Sequence, residues 1–157
     1  MNVSDLLTAD LVLPALEARD KEAVMRMLAA RVAGHHPEIE EASLVDALRQ
    51  RERQVSTALV DGVAIPHAKL PGLPRMVGAL ARSHPGIECD SHDGRPTHLF
   101  FLLVGPAELP GDHLRALAVV SRLLHDGPCR TRLMQAEDAP AILAVLREHG
   151  QRLRRAA

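Results

Sequence analysis

Leu99-Phe100-Phe101-Leu102-Leu103-Val104 is an unbroken apolar run closed by Gly105-Pro106. Six apolar residues in a row leave no polar face, so a strand made from them has to be covered on both sides. Upstream, Asp93-Gly94 is a hairpin signal, and it predicts that residues 87–89 and 97–104 run antiparallel. Residues 76–81 read as a further strand, followed by a turn at Pro85-Gly86. Residues 63–65 and 11–13 are shorter apolar strands. Pro66 and Pro14 stop them, because proline has no N–H to give a ladder.

Helical patterns fill the intervals. Asp20 predicts an N-cap, with Val24, Met27, Leu28 and Val32 as the apolar stripe and Gly34 closing the helix. A second helix begins near Glu41 and turns Leu44, Ala47 and Leu48 inward. Its polar end, Arg49-Gln50-Arg51-Glu52-Arg53-Gln54, leads to Ser56-Thr57. Asp112 predicts the cap of a third helix, with Leu114, Leu117, Ala118, Ser121 and Leu124 on one face and Gly127 closing it. A short helix over 130–135 and an amphipathic one over 138–149 follow. Interleaved strands and helices give an α/β class: a single domain with a mixed β-sheet flanked by helices on both faces. Residues 1–150 are expected to form that domain, and residues 151–157, with Arg152, Arg154 and Arg155, a solvated basic C-terminal tail.

Composition narrows the function. The chain has 157 residues, 46% hydrophobic and 25% charged, as expected of one globular domain. A net charge of −1 offers no basic field to nucleic acid, and Phe100 and Phe101 alone cannot build a base-stacking platform. Cys89 and Cys129 stand apart without metal-ligand spacing, which suits a reducing cytoplasm. No signal peptide or membrane-length apolar run is visible, so neither export nor membrane insertion is expected. Phosphate-binding glycine loops and a G-x-S-x-G elbow are missing from the pattern, and the histidines do not fall at zinc spacings. No cofactor or metal is expected.

Three residues carry chemistry. Pro66 holds His67 at the exit of a strand, where its ring can be presented to a partner. Histidine titrates near neutrality, so it can serve as a neutral nucleophile. His113 follows Asp112 into the first turn of a helix, where N–H groups and the dipole favour anions. Arg51 is permanently charged and can grip phosphate oxygens with two donors. By pattern alone each also has an ordinary reading: a strand-ending histidine, a solvent-exposed histidine at a helix start, and an arginine on a charged helix end.

Arg51-Glu52-Arg53, Asp61-Gly62-Val63-Ala64-Ile65-Pro66-His67-Ala68-Lys69, Gly86-Ile87-Glu88-Cys89-Asp90, Asp93-Gly94 and Gly111-Asp112-His113-Leu114 share an order and spacing. Together they resemble the fructose/mannitol-type enzyme IIA domain of the phosphoenolpyruvate-dependent phosphotransferase system. The resemblance runs from about residue 4 to residue 147. It implies the mannitol-type enzyme IIA fold and His67 as phosphoryl acceptor through Nε2. His113 would stabilise the phosphoryl group and Arg51 would supply charge, with Arg53, two residues on, as the competing assignment. Ser56 and Thr57 match small polar residues of the family, which position donors or simply shape the turn, and Lys69 reads either as positive charge near the acceptor or as an ordinary solvated lysine. An HPr-like phosphocarrier would be the donor, and regulatory target proteins or a IIB domain would be the onward partners. The chain, with no IIB or membrane segment attached, looks most like the stand-alone nitrogen-regulatory branch. The alternatives are a separate IIA subunit of a sugar transporter, and a regulatory binding module that is not phosphorylated. Val55, Ala58 and Val60 stand where the family often has glycine, and Ala68 where some members have glycine, which predicts a stiffer loop.

Overall fold

The computed structural model describes residues 1–156. The apolar run lies at its centre, in strand β5 (Thr97–Pro106). None of residues 99–104 is more than 2% exposed. Side chains alternate between the two faces of a strand, so continuous burial means that both faces are covered. Strand β4 (Val77–Ile87) pairs antiparallel with β5, Leu80 opposite Phe101. On the other edge of β5 run β2 (Val63–Ala64) and β3 (His67–Leu70), both parallel to it. Strand β1 (Val12–Leu13) adds parallel to β4, which completes the mixed sheet in the order β1-β4-β5-β2, with β3 extending the β2 edge.

Two groups of helices cover this sheet. Helices α1 (Lys21–His35) and α2 (Glu41–Gln54) pack on each other and reach the sheet at β4 and β3. Helices α3 (Pro110–His125), α4 (Gly127–Gln135) and α5 (Ala139–Ala156) form the second group, which reaches it at β5 and β1. The core is mostly aliphatic, with Phe100 and Phe101 as its phenyl rings.

Several local expectations change. Pro85-Gly86 does not turn the chain. It sits inside β4 at a break of register between Arg82 and Ile87, where Gly86 takes φ +83°, a bulge conformation that residues with a Cβ avoid. The reversal comes in residues 88–96, a longer connection that contains Asp93-Gly94. Pro66 interrupts the edge strand without ending it. The ladder resumes at His67, opposite Leu103, and the Pro66 carbonyl accepts the Leu103 N–H at 3.0 Å. Asp112 is not the cap of α3. Leu109 is, because Pro110 opens the helix two residues earlier.

Asp20 does cap α1, accepting the Ala23 N–H at 2.9 Å, but the helix continues past Gly34, and Met25 rather than Met27 faces the core. Gly127 opens α4 instead of closing α3, with Asp126 between them accepting the Cys129 N–H. Residues 151–156 prolong α5, with Leu153 against the core, so the boundary expected after residue 150 falls inside a helix. Ala157 lies outside the described residues.

Candidate active site

The C-terminal end of α2, the start of β3 and the first turn of α3 converge on an open cleft of about 450 Å³. His67 is half-buried in its wall. The edge strand restarts at His67, and the side chain two residues on, Lys69, points to the same face. Nδ1 of His67 lies 2.8 Å from the Ile65 carbonyl, which can only accept, so Nδ1 carries the proton. On the other side, Nε of Arg51 donates to Nε2 of His67 at 3.1 Å. Both contacts require the same tautomer, with the lone pair on Nε2. Burial, Arg51 and Lys69 lower the His67 pKa from its ordinary value, against the opposing pull of the Ile65 carbonyl and Glu52. The ring is therefore neutral at physiological pH.

His113 lies beside it, ring centroids 5.3 Å apart and planes tilted by 51°. It is buried, and among the described residues neither ring nitrogen has a hydrogen-bond partner. Burial, with the nearby His67 ring and the Lys69 ammonium working the same way, pushes its pKa down to about 4. The helix start contributes less than the sequence suggested. Pro110 has no N–H, and those of Asp112 and His113 are already given to the Leu109 carbonyl. The His113 ring, not its backbone, is a donor left unused at this site.

Arg51 reaches His67, while Arg53 lies with Lys21, Glu22 and Arg49 around a separate surface hollow. Lys69 is exposed at the cleft margin. Ser56 and Thr57 do not line the cleft. Ser56 is bonded to Lys21, and Thr57 is buried against Glu52. Two further residues shape the site without having been assigned a part. Glu52 braces the turn that leads into β2. Gly105 leaves room for the His113 ring: a Cβ there would stand 3.1 Å from its Nδ1 and overlap the Met76 sulfur. The register that sets Gly105 opposite Lys69 on the neighbouring strand is not visible in a local pattern. Among the described residues no three His, Cys, Asp or Glu side chains gather as metal ligands. No described helix is long and apolar enough to cross a membrane.

The sequence profile of the family described as phosphoenolpyruvate-dependent sugar phosphotransferase system, EIIA 2, matches residues 5–149. A nitrogen regulatory protein of Bradyrhizobium diazoefficiens is 41% identical over 93% of this chain and 95% of its own. A fructose-specific EIIA component of the phosphotransferase system of Haloferax volcanii is 35% identical over 94% of this chain and 98% of its own. The crystal structure of nitrogen regulatory protein IIA-Ntr from Neisseria meningitidis superposes with a TM-score of 0.82 at 27% identity, covering 92% of this chain and 98% of that one. The fold is thus shared with a class of phosphotransferase-system phosphocarriers. The chain belongs to the type-2 enzyme IIA family of the phosphotransferase system, and so is a phosphotransferase component.

Proposed function

We propose that His67 accepts a phosphoryl group through Nε2 from the phosphohistidine of an HPr-like carrier protein. The observation that carries this is the pair of contacts fixing the His67 tautomer: its proton is committed to the Ile65 carbonyl and its lone pair faces the cleft. As the donor's P–N bond breaks, its electron pair stays on the donor ring nitrogen, and the His67 lone pair forms the new Nε2–P bond. The Nδ1 proton stays where it is. Arg51 then exchanges Nε2 for phosphoryl oxygens, and the unpartnered His113 ring donates to another. Positive charge and N–H donors stabilise the spread charge of a transferring phosphoryl group.

Signalling to regulatory target proteins through the phosphorylation state of His67 is the reading supported by the full-length similarity to nitrogen regulatory proteins, and it implies a cytoplasmic protein. There the buried free thiols Cys89 and Cys129 stay reduced. A IIB domain of a sugar transporter is the second reading, and the Haloferax volcanii relative supports it. Phosphorylation adds about −1.5 to −2 charge at the cleft, enough for a partner to tell the two forms apart.

The test is incubation with labelled phosphoenolpyruvate, enzyme I and an HPr-type carrier. Acid-labile label on the wild type and none on His67→Ala is the expected result. Absence of label on the folded wild type would overturn the phosphocarrier assignment. Equal label on both would move the acceptor elsewhere.

A further inference from the structure

Helix α2 governs both nitrogens of the His67 ring. Arg51 meets Nε2 directly. Its neighbour Glu52 turns the other way, into the protein. Oε1 of Glu52 accepts from Lys21 Nζ at 2.7 Å and from the Thr57 N–H at 2.9 Å, while Oε2 accepts the Thr57 hydroxyl at 2.6 Å. The Thr57 carbonyl accepts the Ile65 N–H at 3.0 Å, and the Ile65 carbonyl accepts the His67 Nδ1–H at 2.8 Å.

The reason Thr57 and Ile65 meet is a tight reversal. Asp61 and Gly62 have φ +60° and +75°, and the Val63 N–H returns to the Val60 carbonyl at 3.4 Å, the form of turn that Asp-Gly favours. It lays residues 57–59 against 63–65, with Ala58 bridged antiparallel to Ala64.

We propose that Glu52, held by Lys21, is a positioning residue for His67: it fixes the Thr57–Ile65 pair, and so aims the carbonyl that keeps the proton on Nδ1 and the lone pair on Nε2. This rests on the reading of His67 as the acceptor. Three donors converge on the Glu52 side chain, and a carboxylate, which only accepts, satisfies them all. Although its burial works the other way, the bonds from Lys21 and Thr57 hold the Glu52 carboxyl below its usual range. Lys21 also offsets a negative charge that would otherwise repel the incoming phosphoryl group. Groups that orient an imidazole through its second nitrogen are known to matter about 10- to 100-fold at metal sites, where the same tautomer control operates.

Heteronuclear NMR of the imidazole nitrogens in the free protein tests this, alongside phosphoryl uptake. The wild type should hold the Nδ1–H tautomer. Glu52→Ala should move His67 toward a mixture of tautomers and slow uptake by roughly 10-fold or more. Glu52→Gln keeps an acceptor for the Thr57 N–H and should recover part of both. If Glu52→Ala does not fold, Thr57→Val, which loses the hydroxyl and keeps the N–H, should show a smaller shift in the same direction. Unmoved ring nitrogens in folded Glu52→Ala, or in Thr57→Val where the former is unfolded, would overturn the positioning role. A tautomer shift in Glu52→Ala beside a wild type that itself takes up no phosphoryl group would uphold that role and reject His67 as the acceptor.

Discussion

Nε of Arg51 stands 3.1 Å from Nε2 of His67, while its Nη1 bonds the Val55 carbonyl at 2.8 Å. The Nε2 lone pair of His67 is thus covered by a guanidinium that, in the proposed transfer, also faces the arriving phosphoryl group. Because the guanidinium is anchored at the end of its own helix, it can exchange a ring nitrogen for a phosphoryl oxygen without giving up its place. A shorter or more flexible cation would lack the second anchor.

Arg51→Ala is therefore expected to reduce the rate of phosphoryl uptake by about 10²-fold or more, the scale of losing one preorganised donor to a charged transition state. Arg51→Lys should recover only part, because an ammonium cannot serve Val55 and a phosphoryl oxygen with one planar fork. Arg53→Ala should transfer at close to the wild-type rate, since Arg53 lies at a different hollow. Single-turnover labelling of the three variants checks the order. A slow Arg53→Ala beside a fast Arg51→Ala would reverse the assignment.

His113 keeps two unpartnered ring nitrogens in a buried place, which costs stability. Its pKa falls from an ordinary 6.5 to about 4 in the folded protein. The unfolded chain then binds more protons between these values, so stability is complete above pH 6.5 and is lost as the pH falls toward 4. The full effect is about 3 kcal/mol, from roughly 1.4 kcal/mol for each unit of pKa displacement. His113→Leu should remove this slope, keep or raise stability at pH 7, and slow phosphoryl uptake. Urea unfolding at neutral and at mildly acid pH tests it: an identical acid loss in wild type and variant would show that His113 does not titrate this way.

How much of this was legible depends on how local each signal is. The buried strand, the cap of α1 and the grouping of Arg51, His67 and His113 were readable because each follows from periodicity, a capping residue or a family pattern. The bulge at Gly86 reads as a turn in the sequence because a glycine after proline looks the same in either setting. Asp112 was misplaced as a cap because a proline two residues earlier competes for the helix start. Glu52 and Gly105 escaped notice for a different reason. Their roles depend on pairing across the fold, with Thr57 and Lys21 in one case and with Met76 and His113 in the other.

Gly105 should be intolerant of even one carbon. A Cβ would enter the Met76 sulfur and crowd His113. Methionine is flexible enough to yield, whereas the His113 ring is held by its helix and the sheet. Gly105→Ala should therefore cost about 1–3 kcal/mol, the usual penalty of overpacking, and slow uptake by displacing the ring. Met76→Ala in the same chain should restore stability more than transfer. Thermal melts and labelling of the single and double variants separate the two effects, and a fully active Gly105→Ala would show that His113 has more room than the geometry gives it.

Arg82 makes the last case, because it is a charge placed where the sequence suggested the end of an apolar strand. It is 3% exposed, and among the described residues its side chain donates to carbonyls and to no carboxylate. Its Nε donates to the Pro14 carbonyl at 2.9 Å, and its Nη1 donates to the carbonyls of Leu133 and Ala136 at 2.8 and 2.6 Å. Leu133 and Ala136 lie at the C-terminal end of α4, where unpaired carbonyls and the helix dipole favour a cation. Burial lowers the Arg82 pKa, yet the guanidinium keeps its charge and joins the chain after β1, strand β4 and the end of α4. Arg82→Met should leave three carbonyls without a donor and destabilise the protein by about 3 kcal/mol or more. Arg82→Lys should lie between, because an ammonium cannot span carbonyls on both sides. Arg82 sits opposite Leu99 on one edge of β5 and His67 opposite Leu103 on the other, so uptake per folded molecule should match the wild type. Denaturation midpoints and labelling of the folded fraction test both parts, and a wild-type midpoint for Arg82→Met would show that water satisfies those carbonyls.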